Sequence, residues 1–190
     1  MVDMKRMFRV GAAVAAAVLA GGIAASPAQA APTEPAASEA FGGSFTLPDG
    51  APAPGAGYTI KGTYRVAAGV QEYACTEAGT WATASTPSAL LIRYGSPRPM
   101  YHYAGPRWRA LDGSITVGAV ATRVPKDGTI PWLLLTAAAE QSKPGEELHD
   151  VTHISRVNTS GGVGPTGACT AGATQRVRYG ADYVFWAQTR

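Results

Sequence analysis

Long apolar stretches, cysteines and cofactor motifs are scarce in this sequence, and each scarcity excludes a class of protein. Apart from residues 10–25 there is no long apolar segment, so no membrane span is predicted in the mature chain. Neither a P-loop nor a haem-attachment motif occurs, which leaves nucleotide and redox cofactors without support. We therefore predict no cofactor.

A strong excess of positive charge is also lacking once the N-terminal region is set aside. The chain has 16 Lys and Arg residues against 13 Asp and Glu residues, but residues 1–30 contain three of the basic residues and one of the acidic ones. The thirteen basic and twelve acidic residues that remain give a net charge near +1. Domains that bind nucleic acid carry a strongly basic surface, so this balance predicts no nucleic-acid partner.

The N-terminus has the three parts of a secretory signal peptide. Three basic residues precede the apolar residues 10–25, and Ala28 and Ala30 then show the A-x-A spacing of a cleavage site. An apolar run of about sixteen residues is short for a membrane anchor, which needs roughly twenty. We predict a signal peptide over residues 1–30, cleaved after Ala30, and hence a secreted, extracellular protein.

Residues 31–56 are rich in alanine, proline, glycine and serine. Such a composition buries too little apolar area to offset the entropy lost on ordering. We predict a disordered tail or spacer here, with Phe45 and Leu47 as the residues placed to touch the domain. Residues 57–190 are then long enough for a single domain with its own core.

Two cysteines, Cys75 and Cys169, are the full count. In an exported protein one such pair usually forms a disulfide, whereas a metal or redox pair would require a C-x-x-C spacing or a nearby histidine. We predict a structural disulfide that ties the second strand of the domain to a loop near its end.

The domain has the pattern of short strands. In residues 58–66, Tyr58, Ile60, Tyr64 and Val66 alternate with polar residues, the period-two signature of a half-buried strand. The strand-like runs that follow between turn signals are GVQEYAC, TWATA, ALLIRY, SITVGAVATRV, VTHISRVNT and RVRYGADYVFWAQ. The run LLLTAAAEQSK suits either a helix or a buried strand. The sequence predicts an all-β, antiparallel single domain, either a sandwich or a barrel.

The stretch YHYAGPRWRALDGS, residues 101–114, contains two chain-reversal signals, a Gly-Pro corner and an Asp-Gly turn. They predict a β-hairpin in which His102 points opposite to its tyrosine neighbours and Trp108 faces the sheet. We expect His102 and Asp112 to be partly exposed on the rim.

Two interpretations of this stretch remain open. In the first, turn chemistry and packing explain every residue, and no catalytic residue is assigned. In the second, Asp112 fixes the tautomer of His102 and raises its pKa, which would make a general base near neutral pH. Ser114 would then be the nearby nucleophile, although no G-x-S-x-G elbow surrounds it. The second interpretation makes the protein a small secreted, hydrolase-like enzyme.

The stretch HDVTH, residues 149–153, imitates the H-E-x-x-H zinc motif. Its β-branched residues favour a strand, on which His149 and His153 would lie about 13 Å apart, too far to share a metal ion. No third ligand can be assigned. We therefore predict no metal site.

The order of motifs from Gly69 to Trp186 resembles that of a known family. The motifs are GVQEYAC, YHYAGPRWRALDGS, IPWLLL, VTHISRVNTSGG, a late cysteine and ADYVFW. Together they are similar to the secreted bacterial and fungal proteins grouped as domain-of-unknown-function family 3455. The resemblance implies an exported, single-domain protein and brings no activity or cofactor with it. The family's motif positions that fall in this chain are His102, Gly105, Pro106, Trp108, Asp112, Gly113, Arg156 and Cys169.

An aromatic and polar face is the binding site that we predict, because flat rings stack on sugars or apolar ligands while Arg and Asn bond polar groups. Its residues are Tyr101, His102, Tyr103, Trp108, Arg156 and Asn158, flanked by Arg107 and Arg109. We expect Trp132 to belong to the core instead. The sequence thus predicts an exported, non-catalytic ligand-binding or envelope-associated module, whose partner is a small molecule, a glycan or an envelope component.

Overall fold

The computed structural model describes residues 44–189, and within them it contains eight β-strands and no helix that could cross a membrane. Each strand pairs antiparallel with the next, and the last pairs with the first, so the sheet closes into a barrel. The strands are β1 Tyr58–Ala74, β2 Thr86–Arg93, β3 Pro99–Tyr103, β4 Arg107–Ala110, β5 Ile115–Val124, β6 Trp132–Gln141, β7 Val151–Gly161 and β8 Thr174–Gln188. The predicted all-β antiparallel fold is confirmed, and of the two predicted architectures the barrel is observed.

Alternation along the strands separates an interior from an exterior. In β3, Met100 and His102 are buried, whereas Tyr101 keeps 49% of its surface exposed. In β4, Trp108 and Ala110 are buried in the same way. Successive side chains of a strand point to opposite faces, so closing the sheet directs one set into a common core. The larger members of this core are Tyr64, Leu91, Met100, Trp108, Leu133, Leu135, Ile154, Tyr179, Tyr183 and Phe185.

The local predictions for residues 101–114 are confirmed in outline. β3 and β4 form a hairpin in which His102 lies directly opposite Trp108. Gly113 has a φ of 90°, the conformation that an Asp-Gly turn demands and a side chain with a Cβ resists. The ambiguous run LLLTAAAEQSK is a strand, since β6 covers most of it. Residues 80–84, predicted as a strand, instead form a loop with isolated bridges.

The antiparallel order places the connecting loops alternately at the two ends of the barrel. The loops at what we name the open end are 75–85, 104–106, 125–131 and 162–173. The loops at what we name the closed end are 94–98, 111–114 and 142–150. The closed end is filled by Leu148, which is 1% exposed and belongs to the barrel core.

The predicted disulfide between Cys75 and Cys169 is confirmed, and it joins two loops of the open end. Its first cysteine follows the first strand rather than the second. The reason is that residues 58–74, predicted as two strands, form one long strand with a β-bulge between Val66 and Ala68. A bulge bends a strand without ending it, which a pattern of alternation does not reveal.

The residues that precede β1 lie against the outside of the barrel. Phe45 and Leu47 pack there, and the hydroxyl of Ser155 donates a 2.6 Å hydrogen bond to the carbonyl of Pro52. The apolar side chains that they cover on β7 and β8 are Val157, Val184 and Trp186. Residues 44–56 of the predicted tail or spacer are therefore in contact with the domain. The predicted signal peptide and residues 31–43 lie outside the described residues.

Candidate ligand-binding site

A cavity of about 390 Å³ opens between the strands and loops of the open end. Its polar lining residues include Gln71, Ser85, His102, Arg123, Arg156 and Tyr183. Its apolar lining residues include Pro87, Pro106, Trp108, Val120, Leu133 and Leu135. The volume falls within the roughly 300–1,000 Å³ of ordinary small-ligand pockets, and the mixture of an apolar lining with a few polar groups is typical of them.

The hairpin of β3 and β4 supplies the base of this cavity. His102 and Trp108 are cross-strand partners, and their rings stack with centroids 4.3 Å apart. The indole is accommodated because Gly118 on β5 has no side chain, and a Cβ there would lie 2.9 Å from Trp108 Cζ3. Tyr183 on β8 meets both rings edge-on. The site therefore rests on four strands of one packed core.

The imidazole of His102 is neutral at physiological pH. Burial, with a smaller contribution from the charge of Arg156, lowers its pKa to about 4 against the opposing effect of a backbone hydrogen bond. That bond joins Nδ1 to the carbonyl of Arg107 at 2.9 Å, so the single ring proton is on Nδ1. Nε2 then carries a lone pair and can only accept a hydrogen bond. The prediction that His102 is partly exposed is wrong, since 4% of its surface is accessible.

Arg156 contributes the fixed positive charge of the cavity. Its side chain donates to the carbonyl of Pro131 from Nε at 3.1 Å and from Nη2 at 2.8 Å. It also lies beside the hydroxyl of Tyr183, which in turn is 3.3 Å from the hydroxyl of Tyr179. Burial raises the pKa of Tyr183, so this hydroxyl stays protonated. Arg156 is thus held in place by a backbone carbonyl, with the hydroxyl of Tyr183 beside it.

Two buried N–H donors in the cavity wall have no hydrogen-bond partner among residues 44–189. They are Nε2 of Gln71 and Nε1 of Trp108. The other side of the Gln71 amide is occupied, because Ser85 Oγ donates to its Oε1 at 2.6 Å. A buried donor left unpaired costs about 1–3 kcal/mol, so each of these two groups requires an explanation.

Only part of the predicted aromatic and polar face comes together. His102, Trp108 and Arg156 line the cavity. Tyr101 and Tyr103 alternate with His102 on β3 and so lie on the outside of the barrel. Asn158, also outside, donates to Asp182 at 2.8 Å. The six predicted residues therefore divide between the interior and the exterior, and on β3 the alternation of side chains dictates this division.

The flanking residues named from the sequence have separate environments. Arg107 forms an ion pair with Glu140, in which Nε lies 2.6 Å from the carboxylate. Arg109 is exposed. Trp132 is half-buried on the outer side, with the ammonium of Lys126 lying 3.6 Å from the centre of its ring. Trp132 thus does not belong to the barrel core, contrary to expectation.

The predicted pairing of His102 with Asp112 is wrong. Strand β4 separates the two residues, which places His102 towards the open end and Asp112 in the closed-end loop 111–114. The carboxylate of Asp112 accepts hydrogen bonds from the hydroxyl of Ser114 at 2.6 Å and from the amide of Glu147 at 2.7 Å. Asp112 and Ser114 therefore hold the closed-end loops together, and they do not form part of a catalytic triad with His102.

The closed end has a second anchor that the sequence analysis missed. Glu147 accepts a hydrogen bond from the hydroxyl of Tyr64 and another, at 2.8 Å, from Nη1 of Arg93. Arg93 also donates to the carbonyl of Lys61 at 2.9 Å. These residues are far apart in sequence, and no local motif marks them. They keep Leu148 seated in the core.

The two histidines of HDVTH, His149 and His153, lie in separate environments. His149 lies in the loop before β7, with Nε2 3.9 Å from Asp150, and His153 lies on β7 with its ring edge against Tyr58. Within residues 44–189, no group of three His, Cys, Asp or Glu side chains is arranged to hold a metal ion. The stretch GVGPTG, residues 162–167, has the spacing G-x-G-x-x-G, but it links two antiparallel strands and lacks the helix that a phosphate-binding loop precedes.

Comparison with known proteins identifies a family. The model of a family described as "Protein of unknown function (DUF3455)" matches residues 94–187, which run from the end of β2 almost to the end of β8. No curated protein and no solved structure matches the chain. The matched residues include His102, Trp108, Arg156 and Tyr183 of the cavity, while Gln71 and Ser85 precede them.

Proposed function

Given that this chain belongs to the family described as "Protein of unknown function (DUF3455)", we propose from its geometry that it is a non-catalytic binding module that holds a small ligand at the open end of the barrel. The observation that carries the proposal is a cavity of about 390 Å³ whose lining includes two residues with unpartnered buried donors, Gln71 Nε2 and Trp108 Nε1. A ligand acceptor that reaches one of these donors would recover about 1–3 kcal/mol.

The chemistry of the cavity favours binding over acid–base catalysis. A general base works best with a pKa near the operating pH, and His102, whose pKa burial lowers to about 4, is a weak base at pH 7. The one serine hydroxyl that lines the cavity, Ser85, donates to Gln71 and not to an imidazole. The lining residues include no Asp or Glu. A nucleophile activated by a neighbouring base is therefore not assembled.

A small molecule suits the site better than a glycan. Sugar-binding sites rely on flat aromatic rings that are accessible to the ligand, whereas Trp108 is 1% exposed and already stacked on His102. Tyr101, which is accessible, lies outside the barrel and away from the cavity. The proposal therefore places the ligand inside the barrel mouth and assigns no binding role to the outer face.

Export belongs to the same proposal. Residues 1–30 have the order of a signal peptide, and the Cys75–Cys169 disulfide is of the kind that persists in oxidising compartments. When the full chain is expressed in a host with a general secretory pathway, intact-mass analysis of the exported protein should give a chain that begins at Ala31. Retention in the cytoplasm with residues 1–30 uncut would overturn export and leave the binding proposal to its own test.

Binding is tested by a ligand-observed NMR screen of a fragment library that contains neutral, anionic, cationic and saccharide members. The decisive variant is Val120→Trp, which enlarges an exposed side chain in the cavity wall. The matched control is Ala119→Trp, one residue earlier on β5, where alternation directs the side chain outward.

We expect the screen to find fragments that bind to the wild type and to the Ala119→Trp variant but not to the Val120→Trp variant. Bound fragments should also raise the melting temperature, because a ligand that binds only the folded state stabilises it. If the bound fragments still bind to the Val120→Trp variant, they bind outside the cavity and the proposal is overturned. A screen that finds no specific binder would also overturn it.

A further inference from the structure

We propose that the ligand of this cavity carries a negatively charged group, such as a carboxylate, on an apolar body. This inference rests on the binding function proposed above and adds the chemical class of what is bound. It follows from the charges in the cavity wall, from the type of hydrogen-bonding group that lacks a partner, and from the position of the apolar side chains.

The charge in the cavity wall is of one sign. Arg123 and Arg156 both line the cavity, and its lining residues include no Asp or Glu. Neither arginine forms an ion pair with a carboxylate among residues 44–189. The rest of the chain after Ala30 is close to electrically balanced, so this pair is a local excess. An anion in the cavity is attracted to both guanidinium groups, because neither has a carboxylate partner.

The guanidinium of Arg156 is oriented before any ligand arrives. Two of its five N–H groups are directed at the carbonyl of Pro131, which fixes the plane of the group. A carbonyl neutralises no charge, so the remaining N–H groups and the net positive charge are available to the cavity. Arginine held in this way bonds a carboxylate with short, charge-assisted hydrogen bonds.

The unpartnered groups have the same preference. Nε2 of Gln71 and Nε1 of Trp108 are both donors, so they require an acceptor. The hydroxyl of Tyr183 lies beside Arg156 and adds a third donor at that wall. A carboxylate is purely an acceptor with about four lone-pair directions, so it matches groups that require an acceptor.

The apolar part of the ligand is implied by the apolar side chains in the cavity lining. Pro87, Val120, Leu133 and Leu135 line the cavity and present no polar side-chain group. A free inorganic anion would leave these apolar side chains exposed to water, whereas an aromatic or aliphatic acid would cover them. Each buried CH₂ group adds about 0.8 kcal/mol to binding.

Three probes of one shape and different charge test the inference: naphthoate, naphthamide and naphthylmethylammonium. Isothermal titration at pH 7 and low salt should give the tightest binding for naphthoate, at least about tenfold tighter than for naphthamide, with the cation weakest. Added salt should reduce this preference, because ions screen the attraction between the charges.

Variants test whether the preference for naphthoate over naphthamide arises in the cavity. Arg156→Gln removes the charge but keeps donors, and it should bring naphthoate close to naphthamide. Arg123→Ala, at an exposed position, should reduce the preference by a smaller factor and remains informative if the Arg156 variant does not fold. The control is Arg109→Ala, an exposed arginine on the outside of β4, which should leave the preference unchanged.

The outcomes separate the two levels of the proposal. If naphthamide and naphthoate bind equally and both are blocked by Val120→Trp, the cavity is a binding site and the anionic class is wrong. If naphthoate is preferred but Arg109→Ala reduces the preference as much as Arg123→Ala does, the attraction comes from general surface charge and the inference is overturned. If none of the three probes binds, the anionic class is again wrong, and the proposed function is judged by the fragment screen alone.

Discussion

The imidazole of His102 lies parallel to the indole of Trp108, with an angle of 8° between the ring planes and 4.3 Å between their centres. Both rings are almost completely buried. The contact joins β3 to β4 at the base of the cavity, and it places a titratable ring inside the barrel core. Stability should consequently depend on pH through this one side chain.

The folded protein should lose stability as the pH falls from about 6.5 to about 4. Burial lowers the pKa of His102 to about 4 in the folded state, whereas an unfolded histidine has its ordinary value of 6.5. Between these values the unfolded chain binds a proton that the folded chain does not, so acid favours unfolding. The loss between pH 7 and pH 5 should be about 2 kcal/mol, measured by urea unfolding at both pH values.

The variant His102→Asn should be less stable than the wild type at pH 7, because it loses the stacked ring, and it should lack this pH dependence. His153→Asn, on the outer side beside Tyr58, is the control and should retain it. An equal loss between pH 7 and pH 5 in His102→Asn and in the wild type would show that His102 is not the group responsible.

A side chain at Gly118 should disturb the packing of Trp108. A Cβ atom there would lie 2.9 Å from Trp108 Cζ3 and 3.0 Å from Leu135 Cδ2, and both neighbours are buried in the core. Gly118→Ala should therefore destabilise the protein by about 1–3 kcal/mol, as overpacking of a core does. Tryptophan fluorescence should report the displacement together with the unfolding midpoint. Ala119→Val, at the neighbouring outward position, should change stability by less than about 0.5 kcal/mol; equal effects would contradict the close contact.

The closed end should depend on Asp112. Its carboxylate accepts three hydrogen bonds, two from Ser114 and one from the amide of Glu147. Asp112→Ala removes the acceptor of these three hydrogen bonds and should lower the free energy of unfolding by about 1–3 kcal/mol. Amide hydrogen exchange should also become faster across residues 142–150, because loop 142–150 loses an attachment. The control is Asp127→Ala, in another exposed Asp-Gly turn, where we expect little change in either measurement.

The local sequence pattern was sufficient to predict the strands and turns around His102. It was not sufficient to predict the environment of the His102 side chain. Alternation on β3 correctly separated His102 from Tyr101 and Tyr103. The side that becomes the interior is decided by closure of the barrel, which depends on pairing between β1 and β8 across more than a hundred residues. One local signal was available, since Met100 shares the face of His102 and marks it as apolar.

The candidate site shows the same division between local and distant information. The erroneous pairing of His102 with Asp112 overlooked that a strand of four residues carries the chain from one end of the barrel to the other. Arg156 was identified from its motif, but its meeting with Tyr183 depends on β7 and β8 pairing in one register. Gln71 lies on β1 and Ser85 lies just before β2. The sequence left the boundaries of both strands uncertain. A cavity is a property of several strands together, and no single stretch encodes it.

The disulfide should contribute several kcal/mol to stability. Cys75 and Cys169 are 94 residues apart, and in the chain-entropy model closing so long a loop in the unfolded state is worth about 4–5 kcal/mol. The double variant Cys75→Ser, Cys169→Ser should unfold at a correspondingly lower urea concentration, and reductant should lower the midpoint of the wild type towards that of the variant.

Reductant added to the double variant is the control and should have no effect, since no bridge remains to be broken. Peptide mapping of the wild type without reduction should recover Cys75 and Cys169 in one linked fragment. Free thiols at both positions in exported protein would contradict the bridge. A wild type whose urea midpoint is insensitive to reductant, despite proven reduction, would show that the rest of the open end holds loops 75–85 and 162–173 in place without it.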